Sequence, residues 1–304
     1  MSLAFLFPGQ ASQFVGMGRD LYEASEAARE VFDLANDLLE TDLKTLCFEG
    51  PEEALKQTAV TQPAVFAHSL AAARVLKEKG ITAAFVAGHS VGELSALVAA
   101  EVLSLEDGFR LVGARGRAMQ EAGERQPGTM AAVLGLGDGE VESVCASAGA
   151  SGIVVAANYN CPGQVVISGE GDAVARAVEE AKANGAKRAV ELPVSGAFHS
   201  PLMEPALAAL AQALEDIPFS PAQVPVVPNV TAEPTQDPET LKGLLLRQVV
   251  SPVRWTASMQ RLLAEGMESA LEVGPGSTLQ GLMRRINRGT TVSAAGGIDE
   301  IAAL

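Results

Sequence analysis

Apolar positions along this chain alternate between two textures. Short unbroken apolar runs end at glycine or proline, and between them apolar residues recur every three or four positions. Residues 3–7, Leu-Ala-Phe-Leu-Phe closed by Pro8-Gly9, predict a strand buried on both faces, as in a parallel sheet. Residues 83–87, stopped at Gly88, predict a second strand. Residues 269–273, stopped by Gly274-Pro275-Gly276, and residues 291–294 predict two more. Helical spacing predicts helices over 19–39, 52–57, 61–79, 91–100 and 104–122, and later over 201–214, 238–249, 253–264 and 279–286. Thr61-Gln62-Pro63 opens the third of these, and Gly80 stops it. Ser104 and Asp107 are spaced as a capping box, with Asp where Glu is usual. Residues 218–230 read as an extended proline-rich segment.

The middle of the chain is patterned differently. Strands over 130–136, 153–158, 164–168 and 188–192 enclose helices over 138–148 and 172–183. That β-α-β-β-α-β order is the split arrangement of a ferredoxin-like module. Strand–helix alternation on both sides of it predicts an α/β fold with one large domain interrupted by a small one. The expected boundaries are 1–127 and 193–304 for the two parts of the large domain and 128–192 for the ferredoxin-like insertion.

Composition narrows the function classes. The chain has 304 residues, 48% hydrophobic and 19% charged, enough for a sizeable core and too apolar for disorder. Aromatics make up 4%, too few for stacking on single-stranded nucleic acid, and the net charge of -15 argues against nucleic acid or an anionic membrane as partner. Cys47, Cys145 and Cys161 form neither a disulfide framework nor a zinc motif, so a reducing cytoplasm is expected. The start of the chain does not read as a signal peptide, and no run approaches the ~20 apolar residues of a spanning helix.

The candidate chemistry lies at the second strand. Gly88-His89-Ser90-Val91-Gly92 is Gly-x-Ser-x-Gly between a predicted strand and a predicted helix, the context of a nucleophile elbow. Ser90 would stand at a helix N-terminus, where backbone N–H groups can hold an oxyanion. A serine needs a base, and the chain has three histidines. His68 lies mid-helix and reads as a core histidine; His89 lies beside Ser90 in the turn and points elsewhere. His199 remains, on a loop where the chain re-enters the large domain. No carboxylate stands out as its partner, so a backbone carbonyl orienting His199, and hence a Ser–His dyad, is the expectation. Gln10 follows the first strand, at the edge where α/β sheets bind ligands. Arg115 and Arg117 read as a solvated helix face, or as a clamp for a carboxylate, Gly113 and Gly116 allowing close approach to Arg115. Asn158, Asn160 and Gln164 read as turn formers by default and as substrate contacts otherwise.

These motifs together resemble the malonyl-CoA:acyl carrier protein transacylases of type II fatty acid synthesis and the acyltransferase domains of polyketide synthases. The likeness runs nearly end to end. It includes Phe7-Pro8-Gly9-Gln10, the elbow with Glu93, Arg115-Gly116-Arg117, Asn160-Cys161-Pro162-Gly163-Gln164, Ala197-Phe198-His199-Ser200, Arg247-Gln248 through Trp255, and Glu272-Val273-Gly274-Pro275-Gly276. The resemblance implies an α/β-hydrolase-like core with a ferredoxin-like insertion. It implies a ping-pong transfer from malonyl-CoA to the phosphopantetheine thiol of an acyl carrier protein, with coenzyme A thioester as substrate and no cofactor. Ser90 would be acylated, and His199 would serve as base and then acid. Gln10 and the Val91 N–H would form the oxyanion hole. Arg115 would hold the malonyl carboxylate, and Gln248 would orient His199 through its carbonyl. His89 and Asn160 join Arg115 and Gln10 as implied substrate contacts. Ala-Phe-His ending at His199 looks like the malonyl rather than the methylmalonyl version. An acidic carrier would need a local basic patch, for which Lys187, Arg188, Arg284, Arg285 and Arg288 are candidates. Two rival readings are a serine esterase or thioesterase, which has no need of Arg115, and a non-catalytic module that binds the carrier.

Overall fold

The protein was studied as a computed structural model, which describes residues 2–304. Two sheets organise it. The first is wholly parallel, with order β7-β2-β1-β8-β9: β1 (Leu3–Phe7), β2 (Phe85–Gly88), β7 (Val226–Val227), β8 (Ser269–Glu272) and β9 (Thr291–Ala294). Around it lie α1 (Arg19–Ala24), α2 (Glu26–Leu38), α3 (Leu43–Glu49), α4 (Glu52–Leu55), α5 (Thr58–Glu78), α6 (Gly92–Ala99) and α7 (Leu105–Arg125). The second sheet is antiparallel, with order β4-β5-β3-β6: β3 (Thr129–Leu134), β4 (Val154–Cys161), β5 (Gln164–Gly169) and β6 (Arg188–Glu191). Its helices are α8 (Asp138–Ala148) and α9 (Gly171–Ala183). The chain then returns through α10 (Pro205–Glu215), α11 (Pro238–Gln248), α12 (Trp255–Ala264), α13 (Thr278–Ile286) and α14 (Ile298–Ala302).

The alternation of side chains along β1 explains why its sequence is apolar throughout. Phe5 and Phe7 enter the core shared with α2, α5 and α7, whereas Ala4 and Leu6 face Trp255, Met259 and Met283 on the other side. The antiparallel sheet has its own core, in which Ala131, Val133, Val165 and Ile167 pack against Val141, Val144, Val174 and Ala177 of α8 and α9. β4 is tied to the segment just before α12, where Val253 N–H donates to Ala157 O at 2.8 Å and Tyr159 N–H to Val253 O at 2.9 Å. Among the described residues no helix is long and apolar enough to cross a membrane.

Several expected boundaries shift for identifiable reasons. The helix expected over 19–39 breaks at Ser25, which is extended (φ -130°) and whose hydroxyl accepts the Ala28 N–H, capping α2. α3 and α14, of seven and five residues, are too short for a helical period to show in the sequence. α3 is fixed by the Asp42 carboxylate, which accepts the Thr45 N–H at 3.1 Å. Pro63 lies inside α5, not at its start. The lost hydrogen bond is tolerated because residues 61–72 are buried without a break, so tertiary packing overrides the local signal. At α7 the Ser104 hydroxyl accepts the Asp107 N–H at 3.0 Å and itself donates to the Asp107 carboxylate at 2.7 Å, a shorter version of the expected box.

Candidate active site

The site is built from the reversal between β2 and α6. Phe7 of β1 stands opposite Gly88 of β2, and the His89 N–H donates to Phe7 O at 2.9 Å, so the loops after both strands lie side by side. Gln10, half-buried, is three residues beyond Phe7 on that edge. Ser90 takes φ 52°, a left-handed conformation that costs a non-glycine residue free energy and is held only by its surroundings. The flanking glycines are obligatory: a Cβ at Gly88 would lie 1.9 Å from the Gly92 carbonyl, and one at Gly92 would lie 2.2 Å from Phe7 O. Val91 is already helical (φ -57°), so its N–H belongs to the open N-terminal end of α6.

His199 meets Ser90 there. Its Nε2 is 2.8 Å from Ser90 Oγ. Its Nδ1 is 2.9 Å from Gln248 O and 3.1 Å from Ser251 O. Two carbonyls facing Nδ1 require that nitrogen to carry the proton, which leaves Nε2 as acceptor for the serine hydroxyl. No carboxylate takes part in these contacts. His199 is itself left-handed (φ 57°) and 3% exposed. Burial, then the nearby Arg115 cation, push its pKa down to about 3, so the free site holds a neutral imidazole.

Arg115 is the third member. It is 1% exposed, so the solvated-face reading does not hold for it; that reading suits Arg117, which is exposed. Its Nη1 donates to Gln62 Oε1 at 2.6 Å, and its Nη2 donates to Gln248 Oε1 at 2.8 Å and to Ser90 Oγ at 3.3 Å. Arg115 Nε is buried without a hydrogen-bond partner among the described residues. Burial lowers the guanidinium to about 10, opposed by Glu93, and it stays cationic at neutral pH. The close approach allowed by the glycines around Arg115 is used by protein and not by a ligand: a Cβ at Gly116 would lie 3.2 Å from Ala59 Cα, where α7 crosses α5.

The remaining expected residues fall into place unevenly. Asn160 is no turn former; it lies on β4, and its Oδ1 is 2.8 Å from His89 Nε2. The His89 ring centroid is 5.5 Å from that of Trp255, and burial keeps this histidine neutral. Gln164 Oε1 accepts from Arg285 Nη1 at 2.8 Å. His68 is buried, with Nε2 2.6 Å from Gly296 O and far from Ser90 in role, as a core histidine. Lys187, Arg188, Arg284, Arg285 and Arg288 are all exposed, and two of them reach the β4–β5 turn: Arg285 Nη2 donates to Pro162 O at 3.2 Å, and a Cβ at Gly135, which bonds Gly163, would lie 2.7 Å from Lys187 Cγ. Among the described residues no group of His, Cys, Asp or Glu is placed to hold a metal ion.

Three polar residues escaped the sequence reading. In the sequence Gln62 reads only as a helix opener, Glu93 only as part of the elbow string, and Asn229 only as part of an extended proline-rich segment. Yet Asn229, fully buried, accepts the Ser90 N–H at 2.8 Å. Glu93, 1% exposed, accepts the Asn229 N–H at 2.7 Å, and burial raises its carboxyl to about 7. A lone asparagine in a proline-rich stretch carries no period, and only Pro228 before it marks the end of an extended run.

Known proteins resemble this chain over nearly its whole length. A family profile described as acyl transferase domain matches residues 4–296. The malonyl CoA-acyl carrier protein transacylase of Bacillus subtilis (strain 168) is 47% identical over 287 residues, covering 94% of this chain and 90% of the relative. That of Escherichia coli (strain K12) is 45% identical over 292 residues, covering 96% and 94%. The crystal structure of an acyl-carrier-protein-S-malonyltransferase from Bartonella henselae matches with a TM-score of 0.96 at 45% identity, covering 100% of this chain and 98% of the other. A structure of a type II PKS acyl-carrier protein in complex with its malonyl-transacylase matches with a TM-score of 0.96 at 42% identity, covering 100% and 98%. With a family match over nearly its whole length, relatives above 40% identity and the same mixed α/β fold, this chain belongs to the acyl transferase domain family.

Proposed function

We propose that this protein transfers the malonyl group from malonyl-CoA to the phosphopantetheine thiol of an acyl carrier protein through a malonyl ester on Ser90. The observation that carries the reading is the buried Arg115, whose Nη2 lies 3.3 Å from the nucleophile oxygen and whose Nε has no protein partner. A water-using esterase has no need of a cation there, whereas a three-carbon dicarboxylate half-ester would place its free carboxylate on the guanidinium while its thioester carbon reaches Ser90.

In the forward half-reaction Ser90 Oγ attacks the thioester carbon as its proton passes to His199 Nε2. The oxyanion is received by the Val91 N–H and Gln10. Collapse breaks the carbon–sulfur bond, and coenzyme A leaves with the proton from His199. The carrier thiol then gives its proton to His199 and attacks the ester, and Ser90 recovers the proton. The Gln248 and Ser251 carbonyls stabilise the imidazolium in both halves. Burial first, and then Arg115, depress the basicity of His199 in the free site. A malonyl carboxylate paired with Arg115 offsets only the part due to that cation. His89 and Asn160 are read as walls of the acyl pocket, and no cofactor enters the scheme.

Three further readings accompany this one. Residues 128–192 are taken as a ferredoxin-like insertion in a domain formed by 1–127 and 193–304; β-α-β-β-α-β order and a sheet with the first and third module strands at its centre support it. The exposed cations Lys187, Arg188, Arg284, Arg285 and Arg288 are taken as the docking surface for the acidic carrier. A cytoplasmic location fits three buried free cysteines, with Cys47 and Cys145 pushed up to about 12 by burial and so unreactive.

Intact-protein mass spectrometry with malonyl-CoA tests the function. A malonyl adduct on the wild type, absent in Ser90→Ala and discharged by added holo acyl carrier protein, is the expected result. An adduct that decays equally fast without carrier would make the protein a hydrolase.

A further inference from the structure

We propose that Asn229 is a positioning residue whose side chain replaces a missing strand residue at the elbow, and that Glu93 acts through it to hold Ser90 in place. The inference rests on Ser90 being the nucleophile. β7 runs parallel to β2, pairing Val226 with Val86 and Val227 with Ala87, and then stops. The next residues of β2 turn sharply into α6, so Gly88 C=O and Ser90 N–H lie beyond the reach of β7. In a parallel ladder these two groups, flanking His89, would be taken by the N–H and C=O of one facing residue. The Asn229 carboxamide does the same: Nδ2 donates to Gly88 O at 2.7 Å, and Oδ1 accepts the Ser90 N–H at 2.8 Å. The same Oδ1 is 3.4 Å from Gln248 Nε2, which donates to Ser90 O at 3.1 Å. Ser90 is thereby held at both its N–H and its C=O.

The backbone of residue 229 is free for other tasks because its side chain does the pairing. Its N–H goes to Glu93 Oε2 at 2.7 Å, and its C=O accepts the Arg254 N–H at 3.0 Å. Glu93 lies on the first turn of α6, three residues after Ser90. The carboxylate thus ties the Asn229 loop back to the helix that the elbow starts. Asn229 and Glu93 are both buried with these bonds satisfied, so the arrangement has one geometry. Only a short amide fits: an aspartate would present an acceptor to the Gly88 carbonyl, and an alanine would leave two buried backbone groups unpaired. Without the pairing, Ser90 at φ 52° would relax toward an ordinary conformation and draw its oxygen off His199.

The test uses a fluorophosphonate, which reacts with an activated serine and needs neither Arg115 nor malonyl-CoA. Labelling rates are measured per folded molecule, with folding followed by circular dichroism. Asn229→Ala and the near-isosteric Asn229→Asp should lower the labelling rate about 10- to 100-fold. In malonyl transfer by the same variants, kcat should fall while KM stays within about threefold. Glu93→Ala should slow labelling less, and Glu93→Gln, which keeps an acceptor for the Asn229 N–H, should recover most of that loss. In the Asn229→Asp background, Glu93→Ala should add less than about twofold. If Asn229→Ala does not fold, Asn229→Asp decides. A labelling rate within twofold of wild type in folded Asn229→Asp overturns the proposal, as does a fully multiplicative Glu93 effect. A wild type that is not labelled at Ser90 overturns the nucleophile reading itself.

Discussion

The helix-covered face of the antiparallel sheet and the C-terminal edge of the parallel sheet treat polar side chains in opposite ways. The antiparallel sheet and its helices enclose a core of valine, alanine, isoleucine, leucine and cysteine, with charged residues left outside. At the C-terminal edge of the parallel sheet, Gln62, Glu93, Arg115, His199, Asn229 and Gln248 are all buried within one hydrogen-bonded group. An apolar core is non-directional, and substitutions there lower stability. A buried polar group is directional, and each member fixes the orientation of the next. The comparison teaches that stability and chemistry are written in different parts of this chain.

Substitutions can break that contrast or sharpen it. The largest effect is expected from His199→Ala, which should slow malonyl-enzyme formation by roughly 10^2- to 10^4-fold with the fold intact, as read by rapid-quench mass spectrometry and circular dichroism. Unharmed malonyl transfer would place the base elsewhere. Arg115→Ala should cost malonyl transfer about 2–5 kcal/mol, the range for removing one partner of a buried charged pair, while acetyl transfer loses far less. Equal losses with malonyl-CoA and acetyl-CoA would remove the carboxylate clamp. Ile167→Ala, in the antiparallel core, should lower stability by about 2–4 kcal/mol in denaturant unfolding and leave kcat of the folded enzyme unchanged. A fall in kcat there would show that the second sheet does more than support.

The smallest effect concerns pH. Glu93 titrates at about 7 in the fold against 4.5 in the unfolded chain, so between these values the folded state holds the extra proton. Its contribution therefore becomes less favourable as pH rises from 4.5 to 7. Glu93→Gln lacks this titration, so the melting temperature of the variant relative to wild type should rise across that window. A flat difference would mean that Glu93 is ionised throughout.

Most of the fold was legible because it depends on period. The unbroken run in β1 and the strict β-α-β-β-α-β order of residues 129–191 are set by which faces are buried, and burial leaves a repeating mark. Ser90 was legible because its glycines are forced by contacts inside the elbow, and His199 because few histidines compete. The burial of Arg115 was not, since an arginine on an amphipathic helix such as α7 has the same spacing whether it faces water or a pocket. Asn229 was hidden for a related reason. Its partners are backbone groups 139 and 141 residues away in sequence, and backbone groups have no identity to pattern against.

The left-handed backbone at Ser90 also restricts the chemical alphabet of the enzyme. A hydroxyl alone does not qualify a residue for this position. Threonine carries one, but its β-branch is poorly tolerated at a φ of 52°, so the backbone excludes it before chemistry is considered. Cysteine, unbranched and nucleophilic, passes the same filter. Ser90→Cys should still yield a malonyl adduct by mass, and Ser90→Thr should not. Variation in what this elbow transfers is therefore confined to the walls of the pocket, while the attacking atom is limited to the oxygen or sulfur of an unbranched side chain.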